Sequence, residues 1–192
     1  MGRIVTFGDL VTFSVGTNMT RLSENVVDDA IYTLEDFDND LSSFGKECIC
    51  DNVPLVKGKG VVSTAGDVII SMTRNRACIV SQESSGKYLN SNFVKCEFDK
   101  EKLYPWYFCY LVNESPSISQ QINKMQQGTI GCINRLTISM IGSLIFELEG
   151  ISKQRVVGDL YRNMLIQERL TLQQVANLKR YTLEVIKRVD NN

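Results

Sequence analysis

The C-terminal segment carries the most regular alternation of apolar and polar positions in the chain. Over residues 157–189, apolar side chains recur at steps of three and four, and charged or amide side chains fill the opposite face. This spacing predicts one amphipathic helix over residues 153–189, with Ser152 as its N-cap. Such a helix is on the order of 55 Å long at about 1.5 Å per residue.

An apolar stripe of this length is longer than a small domain can cover by itself. It predicts a second helix as its partner, from another protein or from another copy of this chain. We expect two copies to pair, because burial of the stripe yields a free-energy gain that a monomer forgoes. The residues predicted to make this contact are Leu160, Met164, Leu165, Leu172, Val175, Leu178 and Ile186.

Before this helix, the pattern changes to short apolar runs separated by glycine, proline and polar turns. Neither Gly nor Pro occurs after Gly158, which marks the main change in composition. We therefore expect a mixed α/β domain over residues 1–150 and the long helix over residues 151–192. A length of 192 residues with 43% apolar content is enough for one domain with its own core.

A β-hairpin is predicted in the middle of this domain. Gly66 and Asp67 form a turn signal before residues 68–72, an apolar run of strand length, and residues 77–80 are typical of its partner strand. The connection over residues 73–76 is polar and basic. Its composition makes it a candidate contact for an anionic ligand.

Two helices are predicted further along, over residues 101–112 and 117–125. The first has a large aromatic load, in Tyr104, Trp106, Tyr107, Phe108 and Tyr110. Burial in the core is the favoured interpretation, because aromatic side chains at this spacing are usually buried. A platform on which nucleic-acid bases stack is the alternative.

The residue types that common catalytic and metal sites require are missing from the sequence. There is no histidine, and the six cysteines form no CxxC pair, which argues against zinc and favours reduced thiols. No phosphate-binding GxxxxGK[ST] loop, GxGxxG turn or GxSxG elbow occurs. No apolar run approaches the roughly 20 residues of a membrane helix. We expect a cytoplasmic protein with no cofactor, metal, membrane contact or catalytic site.

One acidic cluster imitates a metal site in its spacing. Asp36, Asp38, Asp40 and Glu47 occupy positions 1, 3, 5 and 12 of a calcium loop. Position 6, which requires glycine for a sharp turn, is Leu41. A solvated acidic loop is therefore the favoured interpretation.

The net charge of −1 conceals a segregation along the chain. Counting Lys and Arg against Asp and Glu, residues 1–52 have 3 and 10, residues 53–140 have 10 and 6, and residues 141–192 have 8 and 6. The differences of −7, +4 and +2 sum to the net value. A basic middle segment beside an acidic one suits a polyanion site on one face, although ordinary surface variation is the alternative.

Several segments, taken in order, resemble the specificity subunits of type I restriction-modification systems. Gly66-Asp67-Val68-Ile69-Ile70-Ser71 is similar to the family's most recognisable strand. Gln154 resembles the characteristic glutamine at the entry to its conserved helix. Weaker similarities occur at residues 6–10, an expected opening strand, and at residues 32–41, 89–93, 127–131 and 136–145.

The resemblance implies a non-catalytic, DNA-reading subunit that directs methyltransferase subunits, and through them a restriction subunit, to a bipartite double-stranded DNA target. Family members usually have two recognition domains and two helices, whereas this chain has one of each. It is therefore expected to be either a natural half-subunit or part of a longer chain. Prolines usual before the helix are replaced by residues 146–149, Phe-Glu-Leu-Glu.

Candidate DNA contacts are polar or basic residues of the middle segment, since Arg and Lys bind phosphates or guanine, and Asn and Gln pair with adenine. They are Lys57, Lys59, Arg74, Asn75, Arg76, Lys87, Asn90, Asn92, Gln126, Gln127, Asn134 and Arg135. An alternative function is a protein-binding adaptor that docks through its long helix. An enzyme would need an unrecognised active site without histidine.

Overall fold

The computed structural model describes residues 2–18, 30–42, 60–127 and 136–190. The strands in these ranges are β1 (Arg3–Thr6), β2 (Val11–Val15), β3 (Ile31–Tyr32), β4 (Val68–Ser71), β5 (Arg76–Ile79), β6 (Tyr88–Leu89), β7 (Phe93–Phe98) and β8 (Ile145–Leu148). The helices are α1 (Leu34–Ser42), α2 (Pro105–Glu114), α3 (Pro116–Gln127), α4 (Ile138–Ser143) and α5 (Ile151–Asp190).

An antiparallel four-stranded sheet in the order β2-β7-β4-β5 forms the centre of the domain. Strand β4 lies inside this sheet, and every one of its residues is buried. Val68 and Ile70 belong to the main core, while Ile69 belongs to a second cluster on the other face. An unbroken apolar run is typical of a strand covered on both faces. The predicted hairpin is confirmed by the pairing of β4 with β5.

Two short sheets attach the remaining strands. β1 pairs with β8 antiparallel, which joins the start of the chain to the segment just before α5. β3 pairs with β6 in parallel. Tyr32 of β3 and Phe37 of α1 pack on Phe93 in the second cluster, with ring centroids 5.0 and 5.9 Å apart. Helix α1 is thereby fixed against the sheet.

The opening strand expected at residues 6–10 is wrong. Phe7–Asp9 form a 3₁₀ turn between β1 and β2. The main-chain N–H and the hydroxyl of Thr6 both donate to Asp9 Oδ2, each at 2.8 Å. This local side-chain bonding closes the turn and competes with an extended strand.

The acidic segment is a helix, so the predicted solvated loop is wrong as well. Thr33 and Asp36 form a reciprocal cap: the Thr33 N–H donates to the carboxylate at 2.9 Å, and the Asp36 N–H donates to the Thr33 hydroxyl at 3.1 Å. Such a cap starts a helix at the next residue. Asp40 is buried at the other end, where it accepts hydrogen bonds from Tyr32, Ser81 and Ser84.

Both helices predicted in the second half of the domain are confirmed. The first begins at Pro105 instead of residue 101, because proline is favoured in the first helical turn and disfavoured later. Tyr107 and Phe108 are buried, which supports core packing over a base-stacking platform for these two rings. The second helix, α3, packs against α2 and β8.

Helix α5 covers 40 residues, from Ile151 to Asp190, and confirms the predicted long helix. Ser152 is not its N-cap, because the Gly150 carbonyl accepts from the N–H groups of Lys153 and Gln154 and starts the helix earlier. Every residue of 171–190 is exposed. Neither α5 nor any other helix in the described ranges has an apolar stretch that could cross a bilayer.

Three cysteines lie in the described part of the chain. Cys78, Cys96 and Cys109 are buried free thiols, and burial raises the pKa of each above its ordinary value. Cys48, Cys50 and Cys132 lie outside the described residues. Within the described ranges, no three Cys, Asp or Glu side chains are grouped as metal ligands would be.

Candidate nucleic-acid interface

The β4–β5 turn, residues 72–75, presents the basic segment that the sequence singled out. The Asn75 N–H donates to the Ser71 carbonyl at 2.9 Å, and the Arg74 N–H donates to the Ser71 hydroxyl at 3.2 Å. Asn75 has a φ of 55°, a left-handed conformation that asparagine tolerates better than most residues. The turn is thus held by the carbonyl and the hydroxyl of Ser71 at the end of β4, and Arg74 lies on the surface.

Each arginine at this turn is bonded to a carboxylate from a different helix. Arg74 contacts Asp38 of α1, and Arg76 contacts Glu114 at the end of α2, both at 2.6 Å. All four side chains are between 41% and 51% exposed. Ion pairs as open to water as these contribute little to stability, so a phosphate can replace either carboxylate.

Lys87 forms a more enclosed pair with Asp36. The Lys87 Nζ lies 2.7 Å from Asp36 Oδ1, and the two side chains are only 24% and 16% exposed. Burial alone raises the pKa of Asp36, but hydrogen bonds from Lys87 and Thr33 outweigh it, so the pKa lies below its ordinary value. This pair fastens α1 to the strand region and leaves Lys87 less accessible than the arginines.

The predicted asparagines lie in the β6–β7 turn, next to the arginines. Asn90 Nδ2 donates to the Tyr32 carbonyl at 3.3 Å, and its Oδ1 accepts from the Asn92 N–H at 2.8 Å. The Asn92 carbonyl accepts from the N–H of Met72 at 2.9 Å. Met72 belongs to the β4–β5 turn, which we call the arginine turn. The amide of Asn90 is therefore committed to the fold, while Asn92 adjoins the arginine turn.

Of the remaining predicted contacts, two lie on another helix and four lie outside the described residues. Gln126 and Gln127 lie at the end of α3, which packs on α2 and β8. Lys57, Lys59, Asn134 and Arg135 lie outside the described residues. The described candidates that come together are therefore Arg74, Asn75, Arg76, Lys87, Asn90 and Asn92.

The charge segregation seen along the sequence does not persist in space. Asp36 and Asp38, in the acidic part of the chain, bond to Lys87 and Arg74 in the basic part. The acidic helix α1 thus lies directly beside the basic turn. Sequence reasoning missed these carboxylates as members of the site, although Thr33-x-x-Asp36 was a readable signal for a helix there.

A buried amide joins α5 to the domain. Gln154 is 1% exposed; its Oε1 accepts from the Tyr104 N–H at 2.9 Å, and its Nε2 donates to the carbonyls of Lys102 and Glu149 at 3.0 and 2.7 Å. A glutamine at this position therefore holds the start of α5 to two other segments. This geometry gives a physical reason for a glutamine at the position that the family resemblance singled out.

The predicted partner-contact residues of α5 differ in exposure. Leu165 is 9% exposed and packs in the domain's own core, so it does not belong to the free stripe. It lies on the helix face that also carries Gln154, Gly158 and Tyr161, which α2 covers. The other six are between 50% and 67% exposed: Leu160, Met164, Leu172, Val175, Leu178 and Ile186.

Two grooves follow α5 where it leaves the domain. One, of about 340 Å³, is mainly apolar and lies between Tyr110 of α2 and Leu160 of α5. The other, of about 540 Å³, is bordered by Asp38 and Arg76 and extends to Leu172. Glu114 and Met164 line both, so the arginine turn and the exposed helix share one continuous surface.

Comparison with solved structures gives the fold a counterpart. The HsdS subunit from Thermoanaerobacter tengcongensis matches with a TM-score of 0.55 and 16% identity, over 93% of this chain and 42% of that one. A chain from a study of complex assembly and conformational transition of the type I R-M system matches with a TM-score of 0.56 and 15% identity, over 93% and 43%. The chain has the HsdS fold.

A third match agrees with this assignment of the fold. The type I restriction-modification S subunit of M. genitalium gives a TM-score of 0.51 at 10% identity, over 93% of this chain and 43% of that one. The expected mixed α/β domain followed by a long helix is therefore confirmed as an HsdS-like architecture. This chain spans about 42–43% of the length of these subunits. No family model and no curated protein sequence matches it.

Proposed function

We propose that this protein recognises double-stranded DNA as a specificity subunit of a type I restriction-modification system. The observation that carries the proposal is the HsdS fold over 93% of the chain. The accessible arginines of the β4–β5 turn supply chemistry suited to phosphates or to guanine. Arg74, Asn75 and Arg76 are the contacts we favour, with Lys57, Lys59, Gln126, Gln127, Asn134 and Arg135 as further predicted contacts.

Replacement of the arginines tests the DNA-binding surface. Arg74→Ala and Arg76→Ala should each weaken binding to a mixed-sequence duplex, by up to about eightfold at about 0.1 M salt, which is the value of one full phosphate contact. Lys100→Ala is the matched control, because Lys100 follows the end of β7 that is remote from the turn. An equal effect of all three variants, measured by fluorescence anisotropy, would move the binding surface elsewhere.

The proposed role is recognition without catalysis. Methyl transfer and cleavage would belong to methyltransferase subunits and, through them, to a restriction subunit. The purified chain with labelled S-adenosylmethionine and DNA should give no methyl transfer. Addition of a methyltransferase subunit should produce methyl transfer at one bipartite sequence. Methyl transfer by the chain alone would contradict this assignment.

We further propose that α5 pairs with α5 of a second copy in antiparallel orientation. Val156, Leu160 and Met164 share one exposed face with a distal group of apolar residues, Leu178, Tyr181, Val185 and Val189. The positions between them on that face are polar, at Gln167, Thr171 and Gln174. In an antiparallel pair centred between residues 172 and 173, the apolar residues at 156–164 of each copy face the distal group of the other copy.

A charge pair can test both the pairing and its direction. In this register Leu160 lies across from Val185 of the second copy, and both side chains lie on the contact face. Leu160→Glu should give monomers in sedimentation velocity, and adding Val185→Lys should restore the dimer. In a parallel pair the double variant would set like charges together and remain monomeric. A parent protein that is monomeric throughout would contradict the pairing itself.

The exposed helix also favours a second candidate, an adaptor that docks through α5 onto a different protein. The two candidates differ in their response to polyanions. A DNA reader should be retained on heparin and released by salt, whereas an adaptor with a net charge of −1 should pass through.

A further inference from the structure

The carboxylates of Asp38 and Glu114 are the feature of the arginine turn that its proposed function does not explain. They belong to separate helices, α1 and α2, yet each contacts one arginine of the same hairpin at 2.6 Å. A surface that only binds DNA has no need of acidic groups within the reach of a phosphate, because they repel it. Both pairs remain about half exposed, so each can exchange its partner.

We propose that Asp38 and Glu114 act as built-in counter-ions, which occupy Arg74 and Arg76 in the free protein and lower the affinity for DNA of any sequence. This inference rests on the proposed function and adds a regulation of the same surface. When a phosphate takes an arginine, the displaced carboxylate recruits a cation from solution. That uptake offsets part of the cation release from DNA, so a paired arginine adds less affinity than an unpaired one would, although its removal still weakens binding.

The third ion pair of the cluster does not share this role. Lys87 and Asp36 are 24% and 16% exposed, and Asp36 also caps α1 through Thr33. Breaking that pair would disturb the helix that presents Asp38. The regulatory carboxylates are therefore the two accessible ones, and the difference in exposure separates them from the structural one.

Removal of one negative charge at a time tests the inference. Asp38→Asn and Glu114→Gln each keep the shape of the side chain but free an arginine for phosphate. Each should raise the affinity for a mixed-sequence duplex by up to about eightfold at about 0.1 M salt, and should steepen the salt dependence by about one ion. The parent and variant proteins should have matching circular dichroism spectra, since exposed ion pairs stabilise the fold only slightly.

Glu97→Gln is the matched control, with the same charge change on an exposed residue. In β7, Phe93 pairs with Ser71 beside the turn, and Glu97 is four residues further along the strand, on the order of 13 Å away. That distance exceeds the screening length of about 10 Å at 0.1 M salt. Its effect on affinity should therefore be small.

The outcomes separate this inference from the proposed function. Larger gains for Asp38→Asn and Glu114→Gln than for Glu97→Gln support it. Binding by the parent protein with equal effects in all three variants, or a loss of affinity in the first two, overturns the inference and leaves DNA recognition standing. If neither the parent nor any variant binds DNA, both fail together.

Discussion

The two halves of α5 share one sequence pattern but have different surroundings. In residues 151–170 the helix buries Gln154, Gly158, Tyr161 and Leu165 against the domain. In residues 171–190 every residue is exposed, although apolar positions recur with the same spacing. Periodicity therefore specifies a helix and an apolar face, whereas only the fold specifies which part of that face is covered. The first half packs on the domain, and the second half is exposed.

Two glutamine substitutions give the strongest test of this difference. Gln154→Glu leaves the carbonyls of Lys102 and Glu149 without a donor and buries a carboxylate beside them, so we expect a loss of about 3–5 kcal/mol in unfolding free energy. Gln173→Glu in the exposed half should change it by less than about 0.5 kcal/mol. Urea unfolding of both variants measures the difference, and similar losses would contradict the division of α5.

Two leucines on nearly the same helix face sharpen the comparison. Leu165 is 9% exposed and Leu172, two turns later, is 64% exposed. Leu165→Ala should lower the unfolding free energy by about 2–3 kcal/mol, through lost burial and a cavity. Leu172→Ala should leave the unfolding free energy within about 0.5 kcal/mol of the parent value. Urea titration of both variants measures the difference, and an equal loss in Leu172→Ala would contradict the division of α5 into a covered and an exposed half.

Gly158 provides a smaller test of the close approach of α5 to α2. A Cβ at this position would lie 2.7 Å from the Tyr104 ring and 2.8 Å from the Tyr107 nitrogen. Gly158→Ala should therefore cost about 1–2 kcal/mol, since the clash exceeds the gain in helix propensity. Asn177→Ala, in the exposed half, should stabilise slightly or change nothing. A Gly158→Ala protein more stable than its parent, by thermal unfolding, would contradict the close contact.

Features governed by short-range apolar patterning could be predicted from the sequence. The run at residues 68–72 predicted the hairpin and the spacing over residues 157–189 predicted the long helix, because the spacing of apolar positions follows the period of each element. The 3₁₀ turn at Phe7–Asp9 and helix α1 were missed, because Thr-x-x-Asp side-chain bonds decide these segments and a few polar residues carry that signal.

The candidate site was less predictable, because it depends on pairs distant in sequence. Arg74 was found from its composition and its position in a turn, but its partner Asp38 lies 36 residues earlier. The two meet only because α1 packs on the second cluster through Phe37. Local patterns carry no information on such a meeting, so the ion pairs between the acidic and the basic segment were not predicted.

Selection from a random pool of DNA duplexes tests the central claim most directly. The purified chain would be incubated with the pool, and the bound duplexes would be recovered and sequenced over several rounds. Sequence-specific recognition predicts enrichment of one motif, arranged as an interrupted palindrome if two copies pair, and loss of that enrichment in the Arg74→Ala, Arg76→Ala double variant. A pool that stays random with the parent protein would contradict the account.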